Sequence, residues 1–205
     1  KIKKNPNQFQ PVYEAITNSL EAIKMLKERY RITDNREIKL KLLLSKDLFS
    51  KDDSNFNFQE IIIEDTGLGF DDCEFERLIA LNDCGKGFSN KGSGRIQFLH
   101  FFDKTEYKSI YRSSDSETGF RQRIFTLSKS KPFLDKNAII NLLENNEIKA
   151  DISFTTVSLK NPLFEKDELF FKSLTVNDLK ENIISHYLIY LCENRTHLPK
   201  FEIQL

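Results

Sequence analysis

Three groups of residues in this chain have the types and the spacing that chemistry requires. Glu14, Asn18 and Glu21 stand at i, i+4 and i+7, so at about 100° per residue they share one face of a helix. An asparagine oxygen among carboxylates suits a hard cation such as Mg²⁺, and a neighbouring glutamate is then free to take a proton from water. Ile16, Leu20 and Ile23 fall on the opposite side, so the same pattern also fits an ordinary surface helix. The second group is Ile61-Ile62-Ile63-Glu64-Asp65-Thr66-Gly67-Leu68-Gly69, an apolar run that ends in an Asp and two spaced glycines. That Asp can aim its carboxylate into a crevice at the end of a buried strand, or simply close the strand with a turn. The third is glycine itself: of seven in the chain, six (67, 69, 85, 87, 92 and 94) fall within 28 residues. Glycine at this density lets backbone approach a ligand, and beside a helix start it leaves N–H groups for a phosphate; a solvent-facing loop has the same composition.

The elements that must position these residues follow from periodicity. Residues 1–10 are polar and read as an arm, and 11–30 have helical spacing. Ile38, Leu40, Leu42 and Leu44 alternate as a half-buried strand, 45–59 is polar and reads as a loop, and the isoleucine run is a central strand. A helix is expected over 71–82, a glycine- and lysine-rich segment over 83–94, and a second helix over 95–102. Strands over 105–112 and 120–127 flank the turn-rich 113–119 and predict a hairpin. A short helix over 136–145, a long strand over 148–159 and an amphipathic helix over 176–193 complete the pattern, with Phe201 opening another strand. Helices against one sheet with mostly hairpin-joined strands predict an α+β fold, a two-layer sandwich on a mixed, largely antiparallel sheet.

Taken together and in this order, the motifs resemble those of the GHKL ATPase superfamily, which includes gyrase B subunits, ninety-kilodalton heat-shock chaperones, histidine kinases and MutL. The family's E-x-x-x-N-x-x-(D/E)-A is similar to Glu14-Ala15-Ile16-Thr17-Asn18-Ser19-Leu20-Glu21-Ala22, and its D-x-G-x-G to Asp65-Thr66-Gly67-Leu68-Gly69. Its glycine box opening a helix resembles Lys91-Gly92-Ser93-Gly94-Arg95. Its G-T-x-V-x-L resembles Thr155-Thr156-Val157-Ser158-Leu159, with Phe154 where the family has glycine. The resemblance covers roughly residues 10 to 160.

What the resemblance implies is a Bergerat-type fold that binds ATP with Mg²⁺ and hydrolyses it slowly. Asp65 would accept the adenine amino hydrogen bond, and Gly67 and Gly69 would let base and sugar lie against backbone. Asn18 would complete the Mg²⁺ coordination, Glu14 would be the general base toward water, and Glu21 would line the pocket. Residues 83–94 would be an ATP lid, with Gly92, Ser93 and Gly94 offering N–H groups to the phosphates. Lys86, Lys91 and Arg95 would be candidates for phosphate charge, and Thr155 would reach the adenine. Residues 11–160 would form the ATP-binding domain, and 161–205 would be a connecting helix leading into a second, transducer-like domain mostly absent from this chain. Lid closure would drive conformational change or homodimerisation of a larger protein, resembling stand-alone bacterial proteins associated with defence systems, with nucleic acid engaged through other domains. Two other readings stand beside it. One is a histidine-kinase-like catalytic domain, which a water-activating Glu14 disfavours; the other is a nucleotide-sensing interaction domain without turnover.

Composition narrows the classes further. Lys plus Arg and Asp plus Glu both number 31 in 205 residues, so no whole-surface attraction to nucleic acid or anionic membrane is expected. Eighteen Phe and 39% hydrophobic residues support a packed core. No apolar run approaches the roughly 20 residues that span a bilayer, and no signal-peptide pattern is present, so a cytoplasmic location without membrane partners is expected. Cys73, Cys84 and Cys192 have neither disulfide density nor metal spacing, and His100, His186 and His197 lack zinc spacing. Lys129, Lys131 and Lys136 read as a solvated face. The first residue is Lys1 and the single Met is Met25, from which a piece of a longer protein is expected.

Overall fold

The computed structural model describes residues 3–32, 34–46, 56–79, 94–136 and 138–205. In chain order the elements are α1 (Gln10–Tyr30), β1 (Glu37–Lys46), β2 (Phe56–Asp65), α2 (Asp72–Ile79), α3 (Gly94–Phe101), β3 (Phe102–Arg112), β4 (Phe120–Ser128), α4 (Lys131–Leu134), β5 (Ile140–Glu147), β6 (Phe154–Pro162), α5 (Glu165–Lys172), α6 (Val176–Glu193) and β7 (Lys200–Gln204). The seven strands form one sheet in the order β5-β4-β3-β6-β2-β1-β7. Every neighbouring pair is antiparallel except β1 with β7. The α+β, helix-on-sheet expectation is met.

Register turns strand alternation into rows across the inner face of the sheet. One row is Leu42, Ile61, Leu159, Thr105 and Leu127; the next is Leu40, Ile63, Val157, Tyr107 and Phe125. All ten side chains are buried, and the Tyr107 and Phe125 rings stack at 4.6 Å. Lys and Glu alternate onto the other face, where Lys41 pairs with Glu64 at 2.7 Å and Lys160 with Glu106 at 2.5 Å. Such half-exposed pairs hold the face in water and contribute about 1 kcal/mol or less each.

Helix α1 starts with Pro11 in its first turn, where a missing N–H costs nothing, and ends at Arg31 in the left-handed region (φ 53°). Its buried stripe, Val12, Ile16, Leu20 and Ile23, closes the core. α6 is capped by Thr175, whose side chain accepts from the Asp178 N–H while Asp178 accepts from the Thr175 N–H.

Several expectations are corrected. The loop over 45–59 is shorter at its end, because β2 begins at Phe56. The helix over 136–145 is the edge strand β5, paired with β4. The strand over 148–159 begins only at Phe154, and a further helix, α5, precedes the helix expected over 176–193. Position 160 is no packing boundary either: Phe171, Leu174, Leu179, Ile183 and Tyr187 belong to the same core as Ile61, and β7 joins the same sheet parallel to β1. Residues 165–204 thus contribute helices and a strand to the same core and sheet.

Candidate functional site

The inner-face row at the end of β2 differs from the two rows before it, in which Thr105 is the one residue outside the apolar and aromatic types. It runs Ile38, Asp65, Thr155, Ser109 and Arg123 across β1, β2, β6, β3 and β4. The last four are polar, and all four are buried. Alternation places them in phase with Ile63, Val157, Tyr107 and Phe125, positions that a sheet packed under helices fills with apolar side chains.

Asp65 is 5% exposed. Its Oδ1 accepts from the Gly67 N–H and its Oδ2 from the Ser19 hydroxyl of α1, both at 2.9 Å. Burial pushes the carboxyl up to about 7, against the lowering effect of the Gly67 and Ser19 bonds. The turn that follows is tied on every side. The Leu68 N–H donates to the Ala22 carbonyl of α1 at 3.1 Å, the Ser153 hydroxyl to the Gly67 carbonyl at 2.7 Å, and the Phe70 N–H to Ser109 Oγ at 2.8 Å. The Ser109 and Thr155 hydroxyls lie 3.3 Å apart. The Arg123 guanidinium donates to the Phe70 carbonyl at 2.8 Å and the Asp71 carbonyl at 3.0 Å, and pairs with the Asp72 carboxylate.

Both glycines are required by close approach. A Cβ on Gly67 would lie 2.7 Å from Ala22 Cβ and 2.8 Å from its carbonyl carbon. Gly69 has φ +79°, and a Cβ there would lie 2.6 Å from the Ile110 carbonyl oxygen. The turn after Asp65 is therefore pressed against α1 on one side and β3 on the other.

On α1, Glu14 is half-buried and accepts from Gln10 Nε2 at 2.8 Å, and burial raises its carboxyl above the ordinary range against that bond. Asn18, one turn on, is exposed, and Glu21 is buried. At the start of α3, a Cβ on Gly94 would collide with the Glu14 carboxylate, 3.1 Å from its Cδ. Arg95 turns its guanidinium to the Arg77 carbonyl at the end of α2, at 3.2 Å, and burial lowers its pKa.

Four segments distant in sequence thus meet. α1 touches the Asp65 turn through Ser19 and Ala22, touches the start of α3 through Glu14, and Asp65 lies opposite Thr155. Lys86, Lys91, Gly92, Ser93 and residues 83–93 of the expected lid lie outside the described residues. Among the described residues no cluster of three or more His, Cys, Asp or Glu is placed to hold a metal, and no helix is long and apolar enough to cross a membrane.

Neither models of known protein families nor curated proteins match this chain.

Ser19, Ser109, Ser153 and Arg123 were not singled out in the sequence. Strand parity carries a signal for two of them: Ser109 falls in phase with Tyr107, and Arg123 with Phe125 and Leu127. Ser153 lies before β6 and has no such marker.

Proposed function

We propose that this domain is a GHKL-type module that binds Mg·ATP and hydrolyses it slowly. The observation that carries the reading is the setting of Asp65. A buried carboxyl, held by Ser19 and Gly67 at the end of a central strand, sits beside Thr155 and a glycine turn that no side chain could replace. A buried carboxyl group with fixed orientation is an acceptor for the amino group of an adenine, and it rejects a base that presents a carbonyl there. Gly67 and Gly69 keep the backbone close enough for a base to lie against it.

Glu14 supports turnover. It is half-buried, its pKa is raised, and Gln10 Nε2 fixes one carboxylate oxygen. A carboxylate made more basic by burial is the better proton acceptor for a water attacking the γ-phosphate. Mg²⁺ needs only one or two protein oxygens when phosphates and waters fill its other positions, and the exposed Asn18 oxygen beside Glu14 fits that donor set. The ion would supply charge neutralisation on the phosphates. The N–H groups at the start of α3, next to Gly94, suit phosphate oxygens. Arg95, engaged at Arg77, leaves that role to backbone and to residues 83–93. Lid closure and dimerisation of a larger protein are the proposed output.

Calorimetric titration with Mg²⁺ and a non-hydrolysable ATP analogue tests this reading. The intact chain is expected to bind in the micromolar-to-millimolar range and Asp65→Ala, folded by thermal melting, to give no heat. Absence of binding by the intact folded chain removes the reading.

A further inference from the structure

The turn of α1 that bears Glu14 and Asn18 is gripped from outside the pocket by a residue of α6. The Tyr187 hydroxyl donates to the Tyr13 carbonyl at 2.6 Å and lies 2.8 Å from Thr17 Oγ1. Because the phenol proton goes to the carbonyl, the Thr17 hydroxyl is the donor toward Tyr187. Tyr13 and Thr17 are i and i+4, so the phenol bridges one helical turn. Glu14 and Asn18 are the next residues after each of them, one turn apart in the same way.

This contact is a designed-in part of the packing. Tyr187 is 9% exposed and continues the buried α6 stripe of Leu179 and Ile183. Its ring meets Tyr13 edge-on at 6.3 Å, and the neighbouring His186 stacks on Tyr13 at 3.7 Å with an interplanar angle of 6°. Burial foremost, and then the nearby Glu14 carboxylate, keep the phenol protonated against the Thr17 hydrogen bond, so it remains a donor. Without that hydroxyl, Thr17 Oγ1 would turn back onto the i−4 carbonyl of Tyr13, a bond that bends helices.

We propose that Tyr187 is a positioning residue: through the Tyr13 carbonyl and the Thr17 hydroxyl it fixes the α1 turn that presents Glu14 and Asn18, making α6 the element through which movement outside the pocket reaches that turn. This rests on the ATPase reading for its consequence, but the geometric claim is testable without nucleotide.

The experiment compares the intact chain with Tyr187→Phe, which keeps the ring and removes one oxygen. In the nucleotide-free chain, the side-chain carboxyl resonance of Glu14 and its titration midpoint are expected to move, and amide exchange at Thr17 and Asn18 to quicken by about threefold or more. In the presence of Mg·ATP, kcat is expected to fall about threefold or more while affinity for the non-hydrolysable analogue stays within about twofold. Thr17→Val should have a similar effect, and the double variant should be no worse than the more affected single one. A lower melting temperature with Glu14 titration and exchange unchanged overturns the proposal, as does unchanged kcat in a chain that hydrolyses ATP. Failure of the intact chain to bind nucleotide removes the ATPase reading, and the nucleotide-free spectra still decide the role of Tyr187.

Discussion

At the scale of residues, Asp65 concentrates the physics of the site. Its native pKa of about 7 lies above the roughly 3.9 of an unfolded Asp, so the folded chain binds that proton more tightly than the unfolded one. Stability from this group is complete below about pH 4, declines as pH rises toward 7, and leaves a constant penalty above it. Asp65→Asn cannot ionise and can keep the bonds to Gly67 and Ser19. It should therefore melt roughly 5 °C above the intact chain at pH 8 and by a smaller margin at pH 5, as scanning calorimetry would read. Glu14 has a different part. Glu14→Ala is expected to slow hydrolysis by about 100-fold while leaving affinity for the non-hydrolysable analogue nearly unchanged, since proton acceptance matters in the transition state. Equal rates for the two proteins would show that Glu14 is not the base. The residues of all four motifs were legible as types and spacings; Glu14 meets Gly94, and Asp65 meets Gly67 and lies opposite Thr155. Ser19 and Ser153, which hold the Asp65 turn, were not legible, because a hydroxyl acting through one hydrogen bond leaves no periodic trace.

At the scale of elements, legibility followed burial. α1, β1, β3, β4 and α6 have an apolar stripe or alternation, and their expected and observed bounds agree within three residues. The β5 edge strand does not: Leu142 and Leu143 are exposed, and Ile139, Ile140, Leu142 and Leu143 mimic helical spacing. Pairing with β4 decides its conformation, and pairing is invisible to local pattern. Residues 148–153 look strand-like in composition yet precede β6, where Ser153 is turned to the Gly67 carbonyl. The contact between α1 and the Asp65 turn is an element-scale feature with a direct test. Gly67→Ala forces a methyl against Ala22 and should cost about 1–3 kcal/mol, lowering the melting temperature by roughly 3–10 °C, together with weakened nucleotide binding. An unaffected melting temperature would mean that the turn and α1 are not in contact.

At the scale of the whole molecule, the α+β sandwich was legible in the order of elements, while its extent was not. The segment after residue 160 read as a connector because the motif resemblance ends there and the amphipathic helix and the strand at Phe201 follow it. In the fold, Phe171 of α5 is fully buried against Phe58 and Phe102, with ring centroids at 5.8 and 5.2 Å. Phe171→Ala should therefore destabilise the domain by about 3–5 kcal/mol, and a chain ending at residue 162 should lose its cooperative thermal transition. A normal melt of that shortened chain would place the core elsewhere. The same architecture makes one polar row stand out: Asp65, Thr155, Ser109 and Arg123 lie in line on the buried face of the sheet, and the proposed function takes that line as the edge of a site. Discrimination between bases tests this most directly. Titrated in parallel at pH 8, where the Asp65 carboxyl is ionised, with Mg²⁺ and non-hydrolysable adenine and guanine nucleotides, the chain is expected under the proposed function to bind the adenine form about 10- to 100-fold more tightly, because a carboxylate accepts from an amino group and repels a carbonyl. Equal affinity for the two bases, or binding of neither, would contradict the assignment of Asp65 as the adenine acceptor.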